Sequence, residues 1–269
     1  MKIKTALTIA GSDSSGGAGI QADLKTFSAH GVYGMSVITA ITAQNTQGIL
    51  GIQDVDPDII EKQIKAIFDD LPVNSVKIGM VSQIETIQAI YNQLTRYQPK
   101  FIVLDPVMIS KSGHHLLKPK SIQTLIKFLL PLATIITPNL PEAEVITQKK
   151  IHTYQDMEEA ANKIYTMGAK NVFIKGGHRK EDATDILYDG QKFIYFKQQR
   201  IDTQNTHGTG CTLSSAIAAN LALGFPIEKA VENAKKYITI AINHSLDIGK
   251  GVGPTHHFYE LYQKSGIIN

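Results

Sequence analysis

The chain has 269 residues, of which 43% are hydrophobic and 19% charged, and its formal net charge is +3. That length suits one large α/β domain spanning 1–269, and the composition is that of a globular protein with a filled core. The slight charge, with lysines no denser than the pairs Lys149-Lys150 and Lys235-Lys236, excludes a dedicated nucleic-acid surface.

Cys211 is the single cysteine, so no internal disulfide can form, and a reducing, cytoplasmic compartment is the natural setting. The apolar run near the N-terminus is only about six residues long before Gly11, too short for the core of a secretion signal. No stretch approaches the roughly 20 apolar residues that span a bilayer, so no membrane partner is expected.

In chain order, apolar runs of strand length at 7–10, 76–78, 101–104, 134–137 and 172–174 alternate with amphipathic segments. Ile59, Ile60, Ile64, Ile67 and Phe68 repeat at helical spacing, as do Ile84, Ile87, Ile90, Tyr91 and Leu94. Met157, Ala160, Ala161, Ile164 and Tyr165 form a third such face, and Ile227, Ala230, Val231, Ala234, Tyr237, Ile238 and Ala241 a fourth. Continuous apolar strands between helices predict a parallel sheet covered on both faces. Segments 186–188 and 192–196, joined by Asp189-Gly190, predict an antiparallel hairpin added late. Open parallel sheets bind ligands beyond the carboxyl ends of their strands. Gly11-Ser12-Asp13, Gly79-Met80, Asp105-Pro106, Pro138-Asn139 and Lys175-Gly176-Gly177-His178 all stand at such exits.

The first exit extends into Gly11-Ser12-Asp13-Ser14-Ser15-Gly16-Gly17-Ala18-Gly19, ahead of a helical pattern at 20–30. Its glycine spacing is not that of a dinucleotide fingerprint, and the chain contains no G-x-x-x-x-G-K-[ST] phosphate loop. A nucleotide must therefore be bound by another architecture. Asp23 lies early in that helix and, taken alone, is a routine N-terminal carboxylate. Asp105 is a candidate magnesium ligand, because an aspartate ending a buried strand reaches a metal directly or through water. Asn139-Leu140-Pro141-Glu142 has the spacing of a helix capping box; beside Asp105 it also suits the magnesium–phosphate side of a site. Lys175, before Gly176-Gly177, can point at a phosphate.

Gly208-Thr209-Gly210-Cys211 opens the helical pattern at 212–223. Two glycines there let backbone N–H groups converge where the helix dipole favours negative charge, which suits a transferring phosphoryl group. An ordinary glycine turn is the alternative. At a helix start the Cys211 thiol is expected below its usual value of about 8.5, free to accept a proton or to attack as a nucleophile. His207 is placed to share that proton. In isolation, Cys211 would be a small buried hydrophobe and His207 a surface residue.

Jointly these segments resemble the hydroxymethylpyrimidine/phosphomethylpyrimidine kinases of thiamine biosynthesis, in the ribokinase-like superfamily. The resemblance also includes Gln21-Ala22-Asp23-Leu24-Lys25, Thr42-Ala43-Gln44-Asn45-Thr46, Asp105-Pro106-Val107-Met108 and Glu142-Ala143-Glu144, and runs nearly the whole length. It implies a ribokinase-like three-layer α/β/α sandwich with a mostly parallel central sheet. It implies that Asp23 and Gln44 hydrogen-bond an aminopyrimidine, with Gly11, Met80 and Val107 lining the same pocket. It puts Lys175, Asn139, Thr206 and Thr209 on the ATP, and Asp105 and Glu142 on Mg²⁺. Gly208, Gly210 and Cys211 then form an anion hole, where Cys211, with His207, takes the substrate proton. Two successive transfers, to the alcohol and then to its monophosphate, are implied, as is a homodimer. One departure stands in 110–117, which resembles a mobile lid: His114 occupies a position where an acidic residue is usual.

Three rival readings remain open. A pyridoxal kinase with a cysteine-type site also acts on a flat ring bearing a hydroxymethyl group. A thiol hydrolase would use Cys211 and His207 without nucleotide. A non-catalytic pyrimidine-binding module would keep the fold and consume no ATP.

Overall fold

Strand β1 (Lys4–Asp13) is buried along nearly its whole length. It pairs in parallel with β2 (Val32–Asn45) on one side and β4 (Ser75–Ile78) on the other. From β4 the parallel sheet continues through β5 (Ile102–Leu104), β6 (Ile135–Ile136) and β7 (Val172–Ile174). Antiparallel strands finish both edges: β3 (Gly48–Asp54) beside β2, and the hairpin β8 (Asp185–Tyr188) and β9 (Phe193–Phe196) beside β7. The order is β3-β2-β1-β4-β5-β6-β7-β8-β9. This computed structural model describes residues 3–108, 117, 119–177 and 183–268.

Alternation along each strand divides the core into two layers. Leu7, Ile9, Val76, Ile78, Ile102 and Leu104 pack on one face, beneath α2 (Pro57–Asp70), α3 (Ile84–Tyr97), α4 (Pro119–Phe128), α5 (Leu140–Thr147) and α6 (Tyr154–Thr166). Ala6, Val103, Ile135 and Phe173 face the other way, toward α1 (Gly19–Ala29), α7 (Thr209–Ala222) and α8 (Ile227–Asn243). A short α9 (Tyr259–Lys264) follows. The expected three-layer α/β/α sandwich is therefore the observed one, and the late hairpin lies where Asp189-Gly190 predicts it. Among the described residues no helix is long and apolar enough to cross a membrane.

Helix α7 positions the site. Ser214, Ser215, Ala216, Ala218, Ala219 and Ala222 are small and buried, so this helix lies close against the sheet between α1 and α8. Strands β2 and β3 were not among the expected elements. The carboxyl half of β2 alternates buried and exposed positions instead of forming an apolar run, because it pairs with the largely exposed β3.

Candidate active site

A cavity of about 960 Å³ opens at the carboxyl ends of β1, β4, β5, β6 and β7, and every candidate residue except Asp23 lines it. Gly11 lies near the carboxyl end of β1 and Met80 just after β4, and Gln44 at the end of β2 and Val107 after β5 join them. A Cβ built on Gly11 would lie 2.6 Å from the Met80 methyl carbon, so the methionine covers the glycine.

The N-cap of α7 is Gly208, with φ of 77°. A Cβ there would collide with the Gly17 carbonyl oxygen, so only glycine lets the two glycine-rich loops meet. The Thr209 hydroxyl donates to the Thr206 carbonyl at 2.7 Å. The first N–H groups of a helix have no intrahelical partner, and Gly210 and Cys211 lie in the first turn of α7 at the cavity wall. A Cβ built on Gly210 would stand 3.5 Å from Lys175 Nζ and 3.7 Å from Asp105 Oδ2. Helix start, cation and carboxylate thus converge.

Lys175 Nζ donates to Asp105 Oδ1 at 3.0 Å, and Thr137 and Ser214 hydroxyls donate to the same carboxylate at 3.2 and 3.1 Å. Burial opposes ionisation of Asp105, but Lys175 and Lys77 hold its carboxyl below the usual range. Glu142 behaves in the opposite way. Burial pushes its carboxyl up to about 7, against the pull of Lys175 and with the help of Asp105. The capping box is formed: Asn139 Oδ1 accepts the Glu142 N–H at 2.9 Å, and Glu142 Oε2 accepts the Asn139 N–H at 2.8 Å. Asn139 and Glu142 therefore cap α5 and line the cavity at once.

Among the described residues no group of three or more His, Cys, Asp or Glu side chains is arranged to hold a metal alone. Mg²⁺ does not require such a cage, since one or two carboxylates complete its shell with phosphate oxygens and water. Asp105 and Glu142 fit that demand as a buried, hard-oxygen pair, and a cation beside Glu142 would displace its proton.

A pH dependence follows. Because the folded carboxyl of Glu142 is raised from 4.5 to about 7, the folded chain holds a proton that the unfolded chain releases. The resulting stabilisation is complete below about pH 4.5 and is lost as pH rises through about 7. Thermal melts of the ligand-free protein between those limits should show this decline, and Glu142→Gln should flatten it.

Three expectations are corrected. Asp23 does not face the cavity: it is fully buried and accepts from Lys77 Nζ, Thr8 Oγ1 and Ser215 Oγ, leaving no room for a pyrimidine. The Cys211 thiol is not lowered by its helix. Burial pushes it up to about 11, with Lys77 opposing and Asp23 and Asp105 adding to the rise, and the Gly19 N–H is its backbone partner. His207 gives its ring nitrogen to Asp13 rather than to the thiol, at 2.7 Å, with Gln44 Nε2 at 3.5 Å. His114, in the lid-like segment, lies outside the described residues.

Asp13 was missed as a site residue although it stands at a strand exit. Its carboxylate also accepts from Ser15 and Ala18 N–H groups, closing the loop over the first helix. Burial resists its ionisation, yet the His207 and Ser15 contacts hold it down at about 2. Asp185 and Lys235 form a second missed pair on the cavity wall, 2.6 Å apart. Asp185 accepts the Gly176 N–H at 2.7 Å and so fixes the turn after Lys175. No local pattern announces either pairing.

Residues 13–256 match the family described as phosphomethylpyrimidine kinase. A hydroxymethylpyrimidine/phosphomethylpyrimidine kinase of Rhizobium meliloti is 53% identical over 262 residues, covering 96% of this chain and 98% of that protein. The crystal structure of a phosphomethylpyrimidine kinase from Clostridium difficile is 56% identical, with a TM-score of 0.81 over 90% of this chain and 100% of that one. A Bacillus subtilis pyridoxal kinase, solved as an ADP complex, is 43% identical with a TM-score of 0.89, covering 96% and 98% of the two chains. Because the family match covers residues 13–256, and a relative 53% identical aligns with 96% of the chain, the chain belongs to the phosphomethylpyrimidine kinase family.

Proposed function

We propose that the chain transfers the γ-phosphoryl group of ATP to the hydroxymethyl oxygen of 4-amino-5-hydroxymethyl-2-methylpyrimidine, and then a second one to the resulting monophosphate, in thiamine biosynthesis. The observation that carries this is the convergence of Lys175, Asp105 and the start of α7 on one point of the cavity that Gln44 also lines. Gln44 offers both a donor and an acceptor to an aminopyrimidine edge, and Met80 and Val107 offer apolar walls. Lys175 and the N–H groups of Gly210 and Cys211 meet the charge on the equatorial oxygens as it develops. Thr206, Thr209 and Asn139 complete the phosphate side of the same wall. Asp105 and Glu142 would hold Mg²⁺, which neutralises phosphate charge when bound.

Cys211, rather than a Cys211–His207 pair, receives the hydroxymethyl proton in this reading. Its thiolate is the minor form at neutral pH, which a loose transfer tolerates because the proton moves late. His207 and Asp13 instead hold the first glycine-rich loop against the anion hole. A cytoplasmic homodimer belongs to the same reading. Ile41, Leu50 and Ile52 on the exposed β2–β3 edge support the dimer, and a sedimentation mass twice that of one chain would test it.

A second reading, pyridoxal phosphorylation, is favoured by the likeness to the Bacillus subtilis pyridoxal kinase. The ratio of kcat/KM for hydroxymethylpyrimidine and pyridoxal decides between them. The pyrimidine should be preferred, and Gln44→Ala should erode that preference by roughly ten- to a hundred-fold through KM, as expected for lost hydrogen bonds. A preference for pyridoxal in the unaltered chain would overturn the substrate assignment.

A further inference from the structure

We infer that Lys77 and Asp23 are positioning residues for Cys211: a buried charge pair that fixes the first turns of α7 and stands as counter-charge beneath the anion hole. The inference rests on the kinase reading of Cys211.

Lys77 sits in the middle of β4, in register with Thr8 of β1, and its side chain is fully buried. Its neighbours Val76 and Ile78 point into the opposite core layer, so Lys77 projects toward α1 and α7. Nζ reaches both oxygens of Asp23 at 2.9 Å. The same carboxylate accepts from Thr8 Oγ1 and Ser215 Oγ, each at 2.6 Å. One carboxylate thereby ties together β1, β4, α1 and α7.

Stability alone does not explain such a pair, since burying an ion pair costs about as much desolvation as it returns, and apolar replacements are often neutral. Its placement does. Ser215 lies one helical turn beyond Cys211, so its bond to Asp23 fixes the rotation of α7 at the thiol. Nζ is 2.7 Å from where a Cβ on Gly79 would stand, next to Met80, which lines the cavity. The charged groups acting on Sγ are Lys77 from β4, Asp23 from α1, Asp105 after β5 and Lys175 after β7. Burial is the largest influence on the thiol, and Lys77 is the foremost charge opposing it. Removing Lys77 alone should therefore leave the thiolate harder to form, whereas removing both charges takes away opposing influences and leaves chiefly a helix start freer to rotate.

Cys211 is the single cysteine, so alkylation of the whole chain by iodoacetamide reports on this thiol alone. The test compares the native chain with Lys77→Met and with the neutral double variant Lys77→Met/Asp23→Asn. Alkylation rates across pH, kcat and KM for the pyrimidine, and thermal melts are measured on each. Lys77→Met should slow alkylation near pH 9 about tenfold, the effect of one pKa unit of thiolate, whereas the double variant should remain folded with alkylation nearer to native. Its kcat should fall while KM for the pyrimidine stays close to native, because the pair touches no ring. A folded double variant with native kcat would overturn the inference, as would a folded Lys77→Met variant with a native alkylation profile. If Lys77→Met alone fails to fold, the double variant carries the test, since it leaves no unpaired buried charge. Should the native chain transfer no phosphate, the kinase reading fails, and the alkylation arm still decides whether the pair governs the thiol.

Discussion

Replacing Lys175 with methionine should lower kcat by roughly a hundred- to a thousand-fold, the usual effect of deleting one preorganised donor to transition-state charge. The ammonium is buried and held above its ordinary range. Burial works against it, but Asp105 and Glu142 keep it charged. It is therefore a fixed positive charge on a largely buried side chain, where such a charge acts more strongly than in open water. KM for the pyrimidine should change little, because Gln44, Met80 and Val107 are untouched. Methionine also removes the charge that pulls Asp105 and Glu142 down, so both carboxyls should titrate higher, with Lys77 still acting on Asp105. Steady-state kinetics measure kcat and KM, and the pH profile of kcat reports the carboxyl shift. A variant that keeps its kcat would remove Lys175 from the transfer step.

Gly208→Ala should be nearly as damaging, for a backbone reason. At φ of 77° an L side chain costs about 1–2 kcal/mol, and the added methyl would overlap the Gly17 carbonyl oxygen. Relief requires the two glycine-rich loops to separate, which moves the N–H groups at the start of α7 away from Lys175. The expected result is a fall in kcat of about a hundred-fold or more with a lowered melting temperature, the mark of strain at a special backbone position. Gly177, whose Cβ would meet nothing within 4 Å, gives the control. Gly177→Ala should melt close to native.

What was legible in the sequence was local. Apolar runs marked the parallel strands, and the polar residues that end them marked the cavity, because side chains beyond a strand's carboxyl end have nowhere to go but the ligand crevice. The spacing of Asn139 and Glu142 was legible as a capping box for the same reason: its two hydrogen bonds join residues three apart. Long-range pairing left no such mark. His207 and Asp13 are 194 positions apart, Ser215 and Asp23 are 192 apart, and Lys77 and Asp23 are 54 apart. Asp23, a routine helix carboxylate by its local sequence and a ligand by resemblance, is instead a buried tie, and Cys211 looked activated by its helix when burial dominates. Strands β2 and β3 escaped notice because an edge hairpin half open to water carries no continuous apolar run.

The central claim is that one cavity brings an aminopyrimidine alcohol and ATP together at Gly208, Gly210, Cys211 and Lys175. Substrate-dependent ADP release, with products weighed by mass spectrometry, tests it most directly. ADP should form only when the hydroxymethylpyrimidine is present, and the pyrimidine should gain the mass of one phosphate and then of two. ADP formed with no change in the pyrimidine's mass, or no ADP at all, would contradict the account.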